Sequence, residues 1–344
     1  MASGLSLTLL AVAGILGALG LSAQVIGRAA EAKYPPVGQI HLVAGQGIHV
    51  LDQRPEDWRP GDPTLVFLHG ASGNLLDMRM AFLEPLSRRG YRMIFVDRPG
   101  HGHSERGGPG MYSPARQAEV VASLLEGLGI DRAVAVGHSW GGAVVAQLAL
   151  QEPDRINGIV FIAPATHPWP GGVNWYYTAS TAPILGPLFA YTLASNVAAL
   201  VAPSAVEGVF SPEAAPRDYG ERIGLALLFR PASFLANARD VGHLKGEVEK
   251  AAPLYPNILQ PAAIVTGDAD TVVLPEIHSA GLLRDLPNAW RVDLPGAGHM
   301  PHHTRTQDVI AEIDRVVAKA FPNFEPPATS SLAKTKKAAG TPAA

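Results

Sequence analysis

The stretch Ala133-Val134-Ala135-Val136-Gly137-His138-Ser139-Trp140-Gly141-Gly142-Ala143-Val144-Val145-Ala146-Gln147-Leu148 decides how this chain is read. A short β-branched run enters a glycine-flanked turn, and an apolar, Ala-rich run leaves it, so the pattern predicts a strand, a tight turn carrying a serine, then a helix. A serine hydroxyl is a poor nucleophile in bulk water, and a Gly-x-Ser-x-Gly turn lifts it to the tip of a sharp bend where a base can reach it. Gly137 and Gly141 flank Ser139 at the positions where a Cβ would crowd that bend. The same letters also describe a glycine-rich turn whose serine only caps the following helix.

Working outward, the apolar runs Thr64–Leu68 and Arg92–Val96 read as strands buried on both faces, and each ends in polar or glycine residues, His69-Gly70 and Asp97-Arg98-Pro99-Gly100. A hairpin is expected over Gln39–Leu51, around Gly45-Gln46-Gly47. Helices are expected over Leu75–Arg89 and Pro114–Leu128 and after Ser139, followed by a strand over Gly158–Ala163. Strands alternating with helices imply a parallel sheet with right-handed crossovers. The rhythm stops from Pro164 to Pro261, a stretch rich in proline and in aromatics such as Trp169, Trp175, Tyr176, Tyr177, Phe189 and Tyr191. It resumes with a strand at Ala263–Thr266, a helix over Pro275–Leu286, a strand at Trp290–Leu294 and a helix over Thr306–Phe321. That last helix puts Val309, Ile310, Ile313, Val316, Val317 and Ala320 on one face. An excursion of this length reads as a lid or binding element above the sheet, its aromatics being either core or the lining of an acyl pocket.

Open parallel sheets assemble their sites at the carboxyl edge of the strands. Ser139 follows one such strand, Asp268 and Asp270 follow another in Gly267-Asp268-Ala269-Asp270, and His299 follows the last in Gly296-Ala297-Gly298-His299. A histidine can accept a serine proton near neutral pH, and a buried carboxylate can fix its tautomer. Each of the three motifs alone is also ordinary turn chemistry; their order, each after a strand, sets them apart.

On these residues, together with His69–Asn74 and Asp97–Ser104, the chain resembles the α/β-hydrolase superfamily over about 38–322. The resemblance implies a mostly parallel twisted sheet with helices on both faces and a mainly helical cap insertion. It further implies Ser139 as nucleophile, Asp270 as acid with Asp268 as rival, His299 as base, and an oxyanion hole from the backbone N–H groups of Ala71 and Trp140. Relatives that open epoxides or displace halides carry Asp at the elbow, so Ser139 points to acyl chemistry. The function expected is cofactor-independent cleavage of an ester, amide, lactone or activated C–C bond in a small apolar acyl substrate. Acyl transfer or perhydrolysis with the same triad, and a non-catalytic binding protein on the same fold, are the alternatives. Asp97 and the loop after it read as structural, and His138 as either pocket-lining or packing. His101, His103, His299, His302 and His303 could be read as metal ligands, but no carboxylate framework with ligand spacing surrounds them, so neither metal nor cofactor is expected.

With 27 Lys and Arg against 30 Asp and Glu, the net charge of −3 shows no basic stripe that would suit nucleic acid. The absence of cysteine excludes a thiolate nucleophile, disulfides and cysteine-held metals. The first charged side chain is Arg28, and the apolar run before it is long enough to span a bilayer as a helix. It reads as a membrane anchor or as a signal with a mediocre cleavage site at Leu21-Ser22-Ala23, the latter leaving a periplasmic or secreted enzyme. Arg28 and Lys33 after the span weakly favour a cytoplasmic body. The organisation expected is therefore an apolar segment at 1–33, core at 38–163, cap at 164–255, core again at 256–322 and a disordered tail at 323–344.

Overall fold

The continuous apolar runs become the centre of an eight-stranded sheet in the computed structural model, which describes residues 2–325. The strands are β1 (Gln39–Val43), β2 (Gln46–Gln53), β3 (Thr64–Leu68), β4 (Arg92–Val96), β5 (Ala133–His138), β6 (Ile156–Ile162), β7 (Ala262–Gly267) and β8 (Ala289–Leu294), in the order β1-β2-β4-β3-β5-β6-β7-β8. The hairpin β1–β2 joins antiparallel to β4, and every other pairing is parallel. Strand alternation sorts side chains into two cores: Val66, Leu68, Ile94 and Val96 face one layer, and Leu65, Phe67, Met93 and Phe95 face the other.

The helices are α1 (Ala2–Lys33), α2 (Leu75–Leu86), α3 (Pro114–Gly127), α4 (Trp140–Gln151), α5 (Trp175–Thr181), α6 (Leu185–Phe189), α7 (Ser195–Phe210), α8 (Tyr219–Arg222), α9 (Pro231–Ala251), α10 (His278–Asp285), α11 (Pro301–Thr304) and α12 (Thr306–Ala320). Helices α3 and α4 close the first core, and α2 and α12 the second. The predicted face of α12 is the one buried, and it lies so close to β6 that a Cβ on Gly158 would stand 2.5 Å from Val316. The helix expected from Pro275 starts three residues later, because Ile277 and His278 first close a turn back onto Leu274.

Between β6 and β7 the chain is helical, from α5 through a π-helical stretch Ala190–Ala194 and α7 to α9. This insertion meets loops that follow β3, β4, β5 and β8: Asn237 Oδ1 accepts from the Ser72 amide at 2.7 Å, Arg98 pairs with Asp240 at 2.9 Å, the Trp140 indole donates to the Asp240 carbonyl at 3.1 Å, and a Cβ on Gly298 would lie 2.2 Å from the Ser211 carbonyl. It therefore covers the carboxyl edge of the sheet. Helix α1 packs on the insertion rather than on the sheet. Most of the expected tail, 326–344, lies outside the described residues, but Phe324 packs against Tyr91 at 5.7 Å, so folded chain reaches past residue 323.

Candidate active site

Ser139 sits between β5 and α4 with φ +50° and ψ −116°, a region that L side chains rarely adopt. The surroundings hold it there: the Ser139 amide donates to Ile162 at 2.9 Å, and its carbonyl accepts from Gly142 at 2.9 Å and Ala165 at 3.0 Å. The glycines are steric requirements, since a Cβ at Gly137 would stand 2.5 Å from the Gly141 carbonyl and one at Gly141 2.4 Å from that of Leu68. The side chain makes no capping bond to α4, so the helix-cap reading has no support in the geometry. Beside it, a Cβ on Gly70 would lie 2.7 Å from the His138 ring and 3.1 Å from Ser139 Cβ. That close approach brings the β3 turn, with Ala71, against the elbow.

Asp270 and His299 meet at the far side of the same edge. Their 2.7 Å contact joins Asp270 Oδ2 to His299 Nδ1, and because a carboxylate only accepts, Nδ1 carries the proton and Nε2 is left as an acceptor. The other carboxylate oxygen accepts from the amides of Val272 at 2.8 Å and Val273 at 2.9 Å, which fixes it. Both side chains are buried. Asp268, the rival, is exposed and instead accepts from the Gly296 amide at 2.7 Å. The His299 loop is tied to the elbow through His138, whose Nε2 donates to the His299 carbonyl at 3.0 Å. Burial, with the nearby His302 and His299 rings, holds the His138 pKa well below its ordinary value, so this ring is a neutral donor.

Comparison with known proteins agrees with this architecture. Residues 63–218 match the model of the alpha/beta hydrolase fold family. Pimeloyl-[acyl-carrier protein] methyl ester esterase of Aeromonas hydrophila is 30% identical over 74% of this chain and 95% of its own length. The dihydrolipoyllysine-residue acetyltransferase component of the acetoin cleaving system of Cupriavidus necator is 38% identical, but over 30% of this chain and only 27% of that protein. A solved membrane phospholipase A has the same fold, with a TM-score of 0.64 at 22% identity over 93% of this chain and 98% of that one. This chain belongs to the α/β-hydrolase family. It is a hydrolytic enzyme of that family, and its matched members include named hydrolases, esterases and lipases.

Two buried polar clusters brace this α/β hydrolase around the candidate site, and the acids that anchor them from other elements, Asp240 and Asp77, are marked by no local motif. In the first, the fully buried Arg98 donates to Asp240 of α9 at 2.9 Å, to the His69 carbonyl at 2.9 Å and to Gln117 at 3.0 Å, and its guanidinium stacks on Trp140 at 4.1 Å. Burial lowers its pKa to about 10, which leaves it charged near neutrality. Asp97 belongs to the same loop and accepts from the Leu75 amide at 2.7 Å, the His103 amide at 2.8 Å and His49 Nδ1 at 2.6 Å.

The second cluster corrects an expectation. His302 and His303 do have a carboxylate partner: Asp77 of α2 accepts from His303 Nε2 at 2.7 Å, from His302 Nε2 at 3.2 Å and from the Tyr219 hydroxyl at 2.8 Å. Among the described residues this is the group whose ligand atoms come within 4.8 Å of one another. A separation of 225 positions hid it from any reading of spacing. Burial alone would raise the Asp77 pKa, but the two imidazoles and their hydrogen bonds hold it well below the ordinary value. Its oxygens are already satisfied by three donors, the arrangement of a structural buried carboxylate. The aromatics of the insertion divide. Trp169 packs against His278 at 5.7 Å, whereas Trp175 is 72% exposed and does not face the interior.

Proposed function

We propose that this hydrolase cleaves a carboxylic ester, or a related amide, lactone or activated C–C bond, of a small apolar substrate through an acyl-enzyme on Ser139. The observation that carries the reading is the buried Asp270–His299 pair, joined to the strained Ser139 turn by the His138–His299 hydrogen bond. In this reading His299 Nε2 takes the Ser139 proton as Oγ attacks the carbonyl, and Asp270 holds the tautomer and stabilises the imidazolium. The Ala71 and Trp140 amides supply the donors for the oxyanion, His299 passes its proton to the leaving group, and a water deprotonated by His299 then releases the acid. The insertion 164–255 serves as a lid over Ser139, between core segments 38–163 and 256–322. The matched methyl ester esterase supports an ester as the bond cleaved. Segment 1–33 serves as a membrane anchor, a reading that rests on its apolar helix; a cleaved signal peptide is the alternative, distinguished by the mass of the mature chain.

The test is covalent labelling with a fluorophosphonate. The adduct is expected on the peptide carrying Ser139, and both labelling and ester turnover are expected to disappear in Ser139→Ala, with turnover falling at least about a thousandfold. Labelling elsewhere, or turnover retained by the variant, would remove Ser139 from the mechanism.

A further inference from the structure

The two longest stretches of this chain without Asp, Glu, Lys or Arg are residues 1–27 and residues 156–206. They are far apart in sequence, yet the fold fastens them together. Ser22 Oγ donates to Asn196 Oδ1 at 2.7 Å, Asn196 Nδ2 donates to the Leu19 carbonyl at 3.0 Å, and a Cβ on Gly20 would lie 3.8 Å from the Tyr191 carbonyl. The exposed large apolar side chains gather on these partners: Leu5, Leu10 and Ile15 on α1, and Ile184, Leu185 and Leu200 on the insertion, the last 79% exposed. Within the helical segments Gly4–Lys33 and Leu185–Phe210, stretches of 18 residues reach mean hydropathies of 2.1 and 1.5.

We propose that α1 and the exposed face of Leu185–Val206 form one lipid-embedded surface, through which an ester with a long acyl chain passes from the bilayer to the site. The identity of the ester rests on the reading of Ser139 given above; the lipid contact does not.

The occupant is lipid rather than a second copy because α1 has no polar face. Its exposed Leu and Ile side chains surround the helix, and its Thr8 hydroxyl donates to the Gly4 carbonyl within the helix at 3.0 Å. A helix apolar all round needs an apolar medium, whereas a partner chain covers one side. Charge resumes where a headgroup layer would lie. Arg28, Glu31 and Lys33 end α1, Glu31 pairs with Arg230 at 3.0 Å and Lys33 with Glu221 at 2.9 Å, and a cleft beside them is lined by Arg28, Arg106 and Arg230. Helix α7 supplies the route. Asn196 near its start is bonded to α1, and its end at Phe210 and Ser211 lies against Gly298, beside His299, about 21 Å away by helical rise.

The chain has no cysteine, so single cysteines report cleanly. Leu10→Cys, Leu200→Cys and Leu259→Cys, the last an exposed control at the amino end of β7, are labelled with an environment-sensitive fluorophore. The full chain is then placed in phosphatidylethanolamine–phosphatidylglycerol vesicles containing chain-labelled doxyl lipid. Quenching about threefold stronger at positions 10 and 200 than at 259 is expected. Quenching at 10 alone, or protection of both with self-quenching between copies, overturns the shared lipid face. In a second arm, Leu185→Asp with Leu200→Asp is expected to lower cleavage of a long-chain ester in vesicles about tenfold relative to a soluble short-chain ester; an unchanged ratio overturns delivery from the bilayer. If the unsubstituted protein cleaves neither ester, the Ser139 reading fails while the quenching result still decides the lipid contact.

Discussion

The carboxyl edge of the sheet and the helical insertion above it obey different rules. At the edge, residue identity is dictated by close approach: Gly137, Gly141 and Gly267 each leave less than 2.6 Å between an added Cβ and a neighbouring carbonyl oxygen, so no other residue fits. In the insertion, Gly172 and Gly208 have nothing within 4 Å, and apolar side chains such as Leu185 and Leu200 stand exposed. A backbone crowded by its own hydrogen-bonded partners leaves a motif in the sequence. A surface selected for contact with something apolar leaves only composition.

The sharpest way to break this contrast lies at the edge itself. Asp270→Asn is expected to lower ester turnover by about two to four orders of magnitude, because the amide no longer imposes the His299 tautomer. Asp268→Asn, two residues away on the same turn, is expected to stay within about threefold, since it loses only a charge at the exposed Gly296 amide. Steady-state kinetics on one soluble ester decides between them, and equal losses would mean that the motif and not the contact had been read.

A second test lies at the junction of the two regions. Asp240→Ala leaves Arg98 buried without its carboxylate, and breaking such a pair costs about 3–5 kcal/mol. Denaturant unfolding is expected to show a loss of that size, and a loss under about 1 kcal/mol would mean that the insertion is held by its apolar contacts instead.

How much was legible in the sequence follows from the same contrast. The strands, the glycine-flanked turn at Ser139, the turns that carry Asp270 and His299 and the buried face of α12 could all be read, because each rests on spacing within one element or on a turn with one steric solution. Asp77 beneath His302 and His303, and Asp240 beneath Arg98, could not, because the pairs are 225 and 142 positions apart and nothing local marks either acid. The aromatics were legible as residues but not as positions. Trp169, in the loop that follows β6, turns inward, and Trp175, at the start of α5, turns outward.

Acid sharpens the picture of the edge. Burial lowers the pKa of His69 to about 3 and of His278 to about 4, while the unfolded chain titrates near the ordinary value of 6.5. Between those limits the unfolded state binds the extra protons, so stability is complete above about pH 6.5 and is lost as pH falls toward 4. At pH 5 each of the two costs about 2 kcal/mol, and the melting temperature is expected to fall on the order of 10 °C from its value at pH 7.5. Buried carboxylates such as Asp77 and Asp97, whose pKa values are lowered, lose their contribution only below this window. His278→Gln is expected to flatten the slope. A melting temperature unchanged from pH 7.5 to 5 would show that these rings are hydrated.

The smallest effect belongs to the insertion, and its smallness is what makes it informative. Trp175 is 72% exposed, and the aromatic rings beside it, Tyr176 at 6.1 Å and Phe189 at 6.0 Å, both lie within the insertion. Trp175→Ser removes a large apolar surface without opening a cavity in either core, so turnover of a soluble short-chain ester in detergent is expected to stay within about twofold. Tyr177 differs, since it is half-buried near Ser72 and Asn237 beside the β3 turn, where desolvation raises its hydroxyl pKa. Tyr177→Phe disturbs that contact and is expected to move turnover more than Trp175→Ser does. If Trp175→Ser instead lowered turnover of the soluble ester tenfold or more, the tryptophan would have to reach Ser139 in the working enzyme. The insertion would then be an arm that folds inward, and its exposed apolar face would belong to the substrate rather than to lipid.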